Sequence, residues 1–82
     1  MEIISAAQCR AARALLDWSR DQLAENSVVA LRTIVDFERG ARAPRSATLL
    51  SLAKALESAG VEFIAENGGG AGVRLRARRG LV

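Results

Sequence analysis

Residues 18–40 read Trp18-Ser19-Arg20-Asp21-Gln22-Leu23-Ala24-Glu25-Asn26-Ser27-Val28-Val29-Ala30-Leu31-Arg32-Thr33-Ile34-Val35-Asp36-Phe37-Glu38-Arg39-Gly40. Ser19-Arg20-Asp21-Gln22 has the form of a capping box, in which the serine side chain accepts from the third backbone amide and the glutamine side chain accepts from the serine amide. Trp18 and Leu23 hold the positions of a hydrophobic staple around it, so a short helix is predicted to run to about Asn26. From Leu31 onward, Ile34, Phe37 and Glu38 share one face of a further helix that ends near Gly40. Only a few residues join the two.

The same devices recur on either side. Ser5-Ala6-Ala7-Gln8 is a second capping box, stapled by Ile4 and Cys9, and Cys9, Ala12, Arg13 and Leu16 repeat at helical spacing up to about Asp17. Arg42-Ala43-Pro44-Arg45 reads as a turn. Ser46 is placed to cap a fourth helix with the stripe Leu49, Leu52, Ala53 and Leu56 and with Gly60 as its stop. Beyond it, Val61-Glu62-Phe63-Ile64 and Val73-Arg74-Leu75-Arg76 alternate about a glycine-rich connection, which predicts a two-stranded hairpin. An isolated hairpin is marginal in water, so it is expected to pack on the helices or pair with a second copy. The expected organisation is a helical unit over 1–60, a hairpin over 61–76 as a dimerisation element, and a basic tail over 77–82.

Composition narrows the function classes. The 82 residues leave room for one domain. Half are hydrophobic, three are aromatic (Trp18, Phe37 and Phe63), and there is no Tyr and no His. Imidazole chemistry is therefore excluded, and neither a nucleophile elbow nor zinc-ligand spacing is present. The glycine run Gly68-Gly69-Gly70 lacks the lysine and the following helix of a phosphate loop. No enzymatic activity, metal or cofactor is expected. Cys9 is the lone cysteine, and its place in a core stripe reads as a small buried hydrophobe. No apolar run approaches the roughly 20 residues that span a bilayer, and Met1-Glu2-Ile3-Ile4 lacks a basic leader, so a cytoplasmic protein away from membranes is expected.

The net charge is +3, from twelve bases and nine acids. Between Arg32 and Lys54, five bases (Arg32, Arg39, Arg42, Arg45 and Lys54) face two acids, Asp36 and Glu38, and Arg74, Arg76, Arg78 and Arg79 follow. Such a balance suits a polyanionic partner. Arg13 lies on the apolar face of the first helix, and Glu38 lies beside the apolar face of the third. They are expected to form a largely buried pair, the competing reading being that Arg13 snorkels to water and Glu38 simply ends its helix. Two short helices on a tight connection, with a basic segment after the second, match the helix-turn-helix pattern.

Three stretches carry a closer likeness. Gln8-Cys9-Arg10-Ala11-Ala12-Arg13, Trp18-Ser19-Arg20-Asp21-Gln22-Leu23-Ala24 and Thr33-Ile34-Val35-Asp36-Phe37-Glu38-Arg39-Gly40 resemble the Cro and phage-repressor type (XRE-like) helix-turn-helix domain, over roughly Ser5 to Gly60. The resemblance implies a lambda-repressor-like, all-α bundle of about five helices, whose third helix lies in the DNA major groove and whose dimers read two half-sites. Here a small C-terminal β-hairpin stands where the last helical element is usual, so the expected fold is four helices plus a hairpin. The family's buried arginine and glutamate fall on Arg13 and Glu38.

Further roles follow from the resemblance by position. Ser19 and Arg20 would touch phosphate at the positive end of the second helix. Leu31, Arg32, Val35 and Asp36 take the base-reading positions: Arg32 would fork guanine, Leu31 or Val35 would meet a thymine methyl, and Asp36 would accept from cytosine or orient Arg32. Arg39, Arg42 and Arg45 would clamp the backbone. Dimerisation is assigned to the hairpin and fourth helix through Val61, Phe63, Val73 and Leu75. The implied protein is a sequence-specific transcription regulator that binds double-stranded DNA at a palindromic operator as a homodimer.

The chain departs from the family at three places. Arg20 stands where glutamine is usual, Ala30 where a capping serine or threonine is usual, and Val28 where a turn glycine is usual. A β-branched residue is disfavoured in the left-handed conformation, so the turn is expected to adjust, with Asn26 ending the helix two residues early.

Two other function classes fit the same residues. One is a protein-interaction module, such as an antitoxin or cofactor subunit, that uses Leu31, Val35 and Asp36 to hold a protein partner; its binding would resist salt, unlike binding to phosphate. The other is an architectural DNA binder of low specificity that relies on the arginine tail, for which loss of residues 75–82 would abolish binding.

Overall fold

A computed structural model describes residues 3–76. Helix α1 spans Ala6–Leu16 and α2 spans Arg20–Ser27. Both capping boxes form in full: Ser5 and Ser19 each accept from the amide of the glutamine three residues on, and each glutamine accepts in return. Ile4, Cys9 and Leu23 are buried in the core and Trp18 packs against it, as the two staples require. α1 closes on Asp17, whose φ of 59° is left-handed, with the Trp18 amide reaching back to the Arg13 carbonyl at 2.9 Å.

Helix α3 spans Leu31–Glu38, and α4 spans Ser46–Ser58. Beyond α3, Gly40 at φ 74° lets the Ala41 amide reach the Asp36 carbonyl at 2.9 Å while its own amide bonds Phe37 at 3.0 Å, which satisfies two carbonyls of the last turn. Ser46 does not cap α4. Arg45, extended after Pro44, holds the capping position without a side-chain bond, and Ser46 is already the first helical residue. Its hydroxyl is thus one position too late to serve the first-turn amides.

The turn between α2 and α3 does not adjust. α2 runs through Asn26 to Ser27, and Val28 takes φ 60°, the left-handed conformation that the usual glycine would adopt. Its amide bonds the Ala24 carbonyl at 2.9 Å. Ser27 supports the turn from both sides: its hydroxyl donates to Leu23 at 2.6 Å and accepts from the Val29 amide at 3.3 Å. Tertiary packing of α2 and α3 thus overrides a local preference, at a cost on the order of 1–3 kcal/mol for a non-glycine residue in this region.

Strands β1, Val61–Ile64, and β2, Gly72–Leu75, form an antiparallel pair with Val61 opposite Leu75 and Phe63 opposite Val73. The hairpin is built onto the helices. Val61 is wholly buried with Leu52, Leu56 and Ile34, and Phe63, Val73 and Leu75 pack against that core while staying partly exposed. The Gln8 amide nitrogen donates to the carbonyls of Gly72 at 3.0 Å and Ile64 at 3.4 Å, tying the hairpin to the first turn of α1. Val61 therefore has no surface to offer a second copy, and its expected place at a dimer interface gives way to one in the chain's own core. Arg78, Arg79 and the rest of the expected basic tail lie outside the described residues. Among the described residues no helix is long and apolar enough to cross a membrane.

Val28 is 91 % exposed, so replacing it sacrifices little burial. Val28→Gly is expected to raise stability by about 1 kcal/mol, the left-handed strain less the added chain entropy of glycine. That corresponds to a melting temperature roughly 4–8 °C higher. Thermal unfolding followed by circular dichroism checks it, and an unchanged or lower midpoint would show that the turn carries no strain.

Candidate nucleic-acid interface

Helix α3 has two unlike faces. Ile34, Phe37 and Glu38 turn inward and are buried, while Leu31 and Arg32 are exposed and Val35 and Asp36 are half-buried on the other side. The outward residues recur at steps of one and four, which is one helical face. No side chain caps the start of α3 at Ala30.

What holds α3 in place is the carboxylate of Glu38, whose side chain is fully buried. Arg13 grips it in a two-pronged contact, Nε to Oε2 at 2.8 Å and Nη2 to Oε1 at 2.7 Å, and spends Nη1 on the Trp18 carbonyl at 3.0 Å. The expected Arg13 to Glu38 pair is therefore present, and it is part of something larger. Cys9 Sγ donates to Oε2 at 3.1 Å, and Arg20 Nε donates to Oε1 at 3.1 Å. Arg10 Nη1 adds a bond to the Glu38 backbone carbonyl. The carboxylate, carried by α3, thus draws its donors from α1 and from the start of α2. The sequence offers the arginine pair as one of two readings and does not single out Cys9, on the same stripe as Arg13, or Arg20 as further donors.

Ionisation follows from this packing. Burial pushes the Glu38 carboxyl up, but the hydrogen bonds from Arg13, Cys9 and Arg20 outweigh it, and the group ends below the ordinary value of 4.5. Burial, reinforced by the Glu38 hydrogen bond, pushes the Cys9 thiol up, so it stays protonated as a donor. The bond to Glu38 raises Arg13 further into its charged form, against the opposing effect of burial.

Two clefts flank the outward face of α3. Toward the start of α2, Leu31 and Val35 share a cleft with Arg13, Ser19, Arg20 and Asp21. Toward the loop after α3, Arg32 and Asp36 share one with Arg42, Arg45, Thr33 and Thr48. Arg32 Nε meets Asp36 Oδ2 at 3.3 Å, and Arg39 Nη1 lies 3.9 Å from Asp36 Oδ1. All nine residues expected at a nucleic-acid surface (Ser19, Arg20, Leu31, Arg32, Val35, Asp36, Arg39, Arg42 and Arg45) thus lie on or beside α3. The Ser19 hydroxyl is engaged as the α2 cap, and the Arg20 side chain is 42 % exposed with its Nε committed to Glu38. Thr33, Thr48 and Asp21 join these clefts without having been singled out from the sequence. A threonine within a basic stretch is the only signal that marks the first two.

This arrangement presents an exposed helix with two aliphatics and an arginine, rimmed by guanidinium groups, which is suited to a polyanion with apolar features in its groove. Among the described residues no group of acidic, cysteine or histidine side chains is placed to hold a metal ion. A sequence model described as helix-turn-helix matches residues 10–63, from within α1 into β1. No curated protein matches the chain.

The lowered carboxyl at Glu38 makes an acid-stability prediction. A group whose folded value is depressed contributes stability that is fully present above its unfolded value and lost as pH falls through the folded one. Urea unfolding between pH 7 and pH 2 is expected to show stability declining below 4.5. In Glu38→Gln the Glu38 share of that slope disappears. At pH 7 the variant is expected to be about 3–5 kcal/mol less stable, because buried arginine loses its counter-ion. Parallel acid profiles for the two proteins would refute the assignment.

Proposed function

The chain belongs to the helix-turn-helix family of the Cro and phage-repressor type, a family of DNA-binding regulatory domains, and on that premise we propose that it is a sequence-specific transcription regulator that reads DNA with α3 in the major groove. The observation that carries this is the outward face of α3: Arg32, with its side chain 84 % exposed, stands between Leu31 and Val35 and is bordered by Arg39, Arg42 and Arg45. Arg32 bonds guanine, and Leu31 and Val35 supply apolar contact for thymine methyls. Arg39, Arg42 and Arg45 hold phosphates on one side. Ser19 and Arg20 hold them on the other at the positive end of α2, Arg20 through the Nη nitrogens that the Glu38 bond leaves over.

A homodimer on a palindromic operator completes the reading, with cytoplasmic DNA as the target. The hairpin supports it. Phe63, Val73 and Leu75 are only partly buried, and partly exposed apolar side chains on one hairpin are suited to cover one another between two copies. The side chains that support such a contact are Phe63, Val73 and Leu75.

Fluorescence anisotropy on DNA from the region upstream of the coding sequence, against a scrambled duplex at several salt concentrations, tests the function. The wild type is expected to prefer the upstream DNA and to weaken steeply with salt. Arg32→Ala should lose about 1–3 kcal/mol of that preference with an unchanged melting temperature. Equal loss on the scrambled duplex would refute base reading. Absence of binding at low salt would refute DNA binding and point to a protein partner for Leu31 and Val35.

A further inference from the structure

Asp36 carries no role in the function above beyond its place on α3. Its side chain is 22 % exposed while that of Arg32 is 84 % exposed. The carboxylate therefore sits low on the helix, and the guanidinium protrudes past it. One oxygen meets Arg32 Nε at 3.3 Å, and the other faces Arg39 Nη1 at 3.9 Å. Its backbone is fixed as well, since the Asp36 carbonyl accepts from the amides of Ala41 at 2.9 Å and Arg42 at 3.3 Å. The residue is thus anchored at the end of α3 and by the loop that follows it.

Resting on the DNA-binding reading, we propose that Asp36 is a positioning residue that dictates what Arg32 reads, without touching DNA itself. A guanidinium has a side edge, Nε with one Nη, and an end edge, the two Nη nitrogens. Either edge grips two acceptors, and a free arginine on an exposed helix takes a phosphate as readily as a base. The Asp36 bond occupies Nε and so blocks the side edge. The end edge stays open, and its two parallel N–H groups match guanine O6 and N7. Pinning at one of four-apart positions on the helix also removes rotamer freedom before the DNA arrives, which lowers the entropy cost of binding.

The negative charge has a second effect. Lying between two arginines, it offsets part of the attraction to phosphate that acts on every sequence alike, so it separates specific from nonspecific binding. A direct contact from Asp36 to cytosine is the poorer use of the group. The carboxylate would have to leave both cations and rise from its half-buried position toward a polyanion.

Selection of duplexes from a random library, followed by substitution of each selected guanine with 7-deazaguanine, which lacks N7, tests this. The wild type is expected to select a guanine whose replacement weakens binding about tenfold. In Asp36→Asn, which keeps shape and backbone bonds, that penalty is expected to fall to about twofold while affinity for scrambled DNA rises. The melting temperature monitors the fold. Arg32→Ala should abolish the penalty, and the double variant should lose no more discrimination than Arg32→Ala alone, as expected for one residue acting through the other. A full guanine penalty in Asp36→Asn, additive losses in the double variant, or a selected cytosine that only Asp36→Asn loses would overturn the proposal. Failure of the wild type to enrich any sequence would instead overturn the base-reading function on which it rests.

Discussion

A carboxylate placed where water does not reach governs the helical part of this protein. Left alone, the buried Glu38 side chain would be expelled or neutralised. It survives as an anion because Arg13 contacts it with two nitrogens, Cys9 with its thiol and Arg20 with Nε. Those donors come from α1 and the start of α2, so satisfying one charge sets the separation of three helices. Such a network is weak evidence for stability, since a well-packed apolar replacement is often as favourable. What it provides is geometry: a bidentate arginine and a fixed carboxylate tolerate little variation in angle or distance. The outward face of α3 is consequently presented at a defined attitude relative to the start of α2, where Ser19 and Arg20 lie.

The features legible in the sequence are those written at short range. The two capping boxes, the staples and the apolar stripes involve residues three or four apart, and each is an independent physical statement that local chain geometry enforces. The Arg13 to Glu38 pair was legible as one of two readings for a different reason, because a charge on an apolar face demands a partner and Glu38 lies beside the apolar face of α3. Features that depend on how elements meet were not legible. Val28 has an unfavourable local preference, and only the packing of α2 on α3 forces it into a left-handed turn. Ser46 resembles a cap until Arg45 is seen to take the extended position before the helix. In the interface, the arginines on and after α3 stood out by charge, whereas the commitment of Arg20 to Glu38 depends on the relative placement of two helices and had no sequence signal.

The substitution pattern around the turn becomes coherent at this level. Arginine at position 20 reaches the same carboxylate as Arg13, and it does so from the helix whose start faces the cleft lined by Leu31 and Val35. It therefore links the cleft at the start of α2 to the interior through a single side chain. Ala30, which offers no capping group, leaves the start of α3 without side-chain capping. The burden of fixing α3 falls instead on its other end, where Glu38, Gly40 and the Asp36 carbonyl make closely spaced bonds.

Gln8 joins two structures that ordinarily loosen separately. Its amide oxygen accepts from the Ser5 backbone to close the first turn of α1, and its nitrogen holds the carbonyls of Ile64 and Gly72 at the loop end of the hairpin. Fraying of a first helical turn and lifting of a terminal hairpin are usually independent low-energy openings. Here one planar amide spans both, so the start of the chain and the hairpin behave as a single cooperative unit. The hairpin is thus held at its loop end by the first turn of α1.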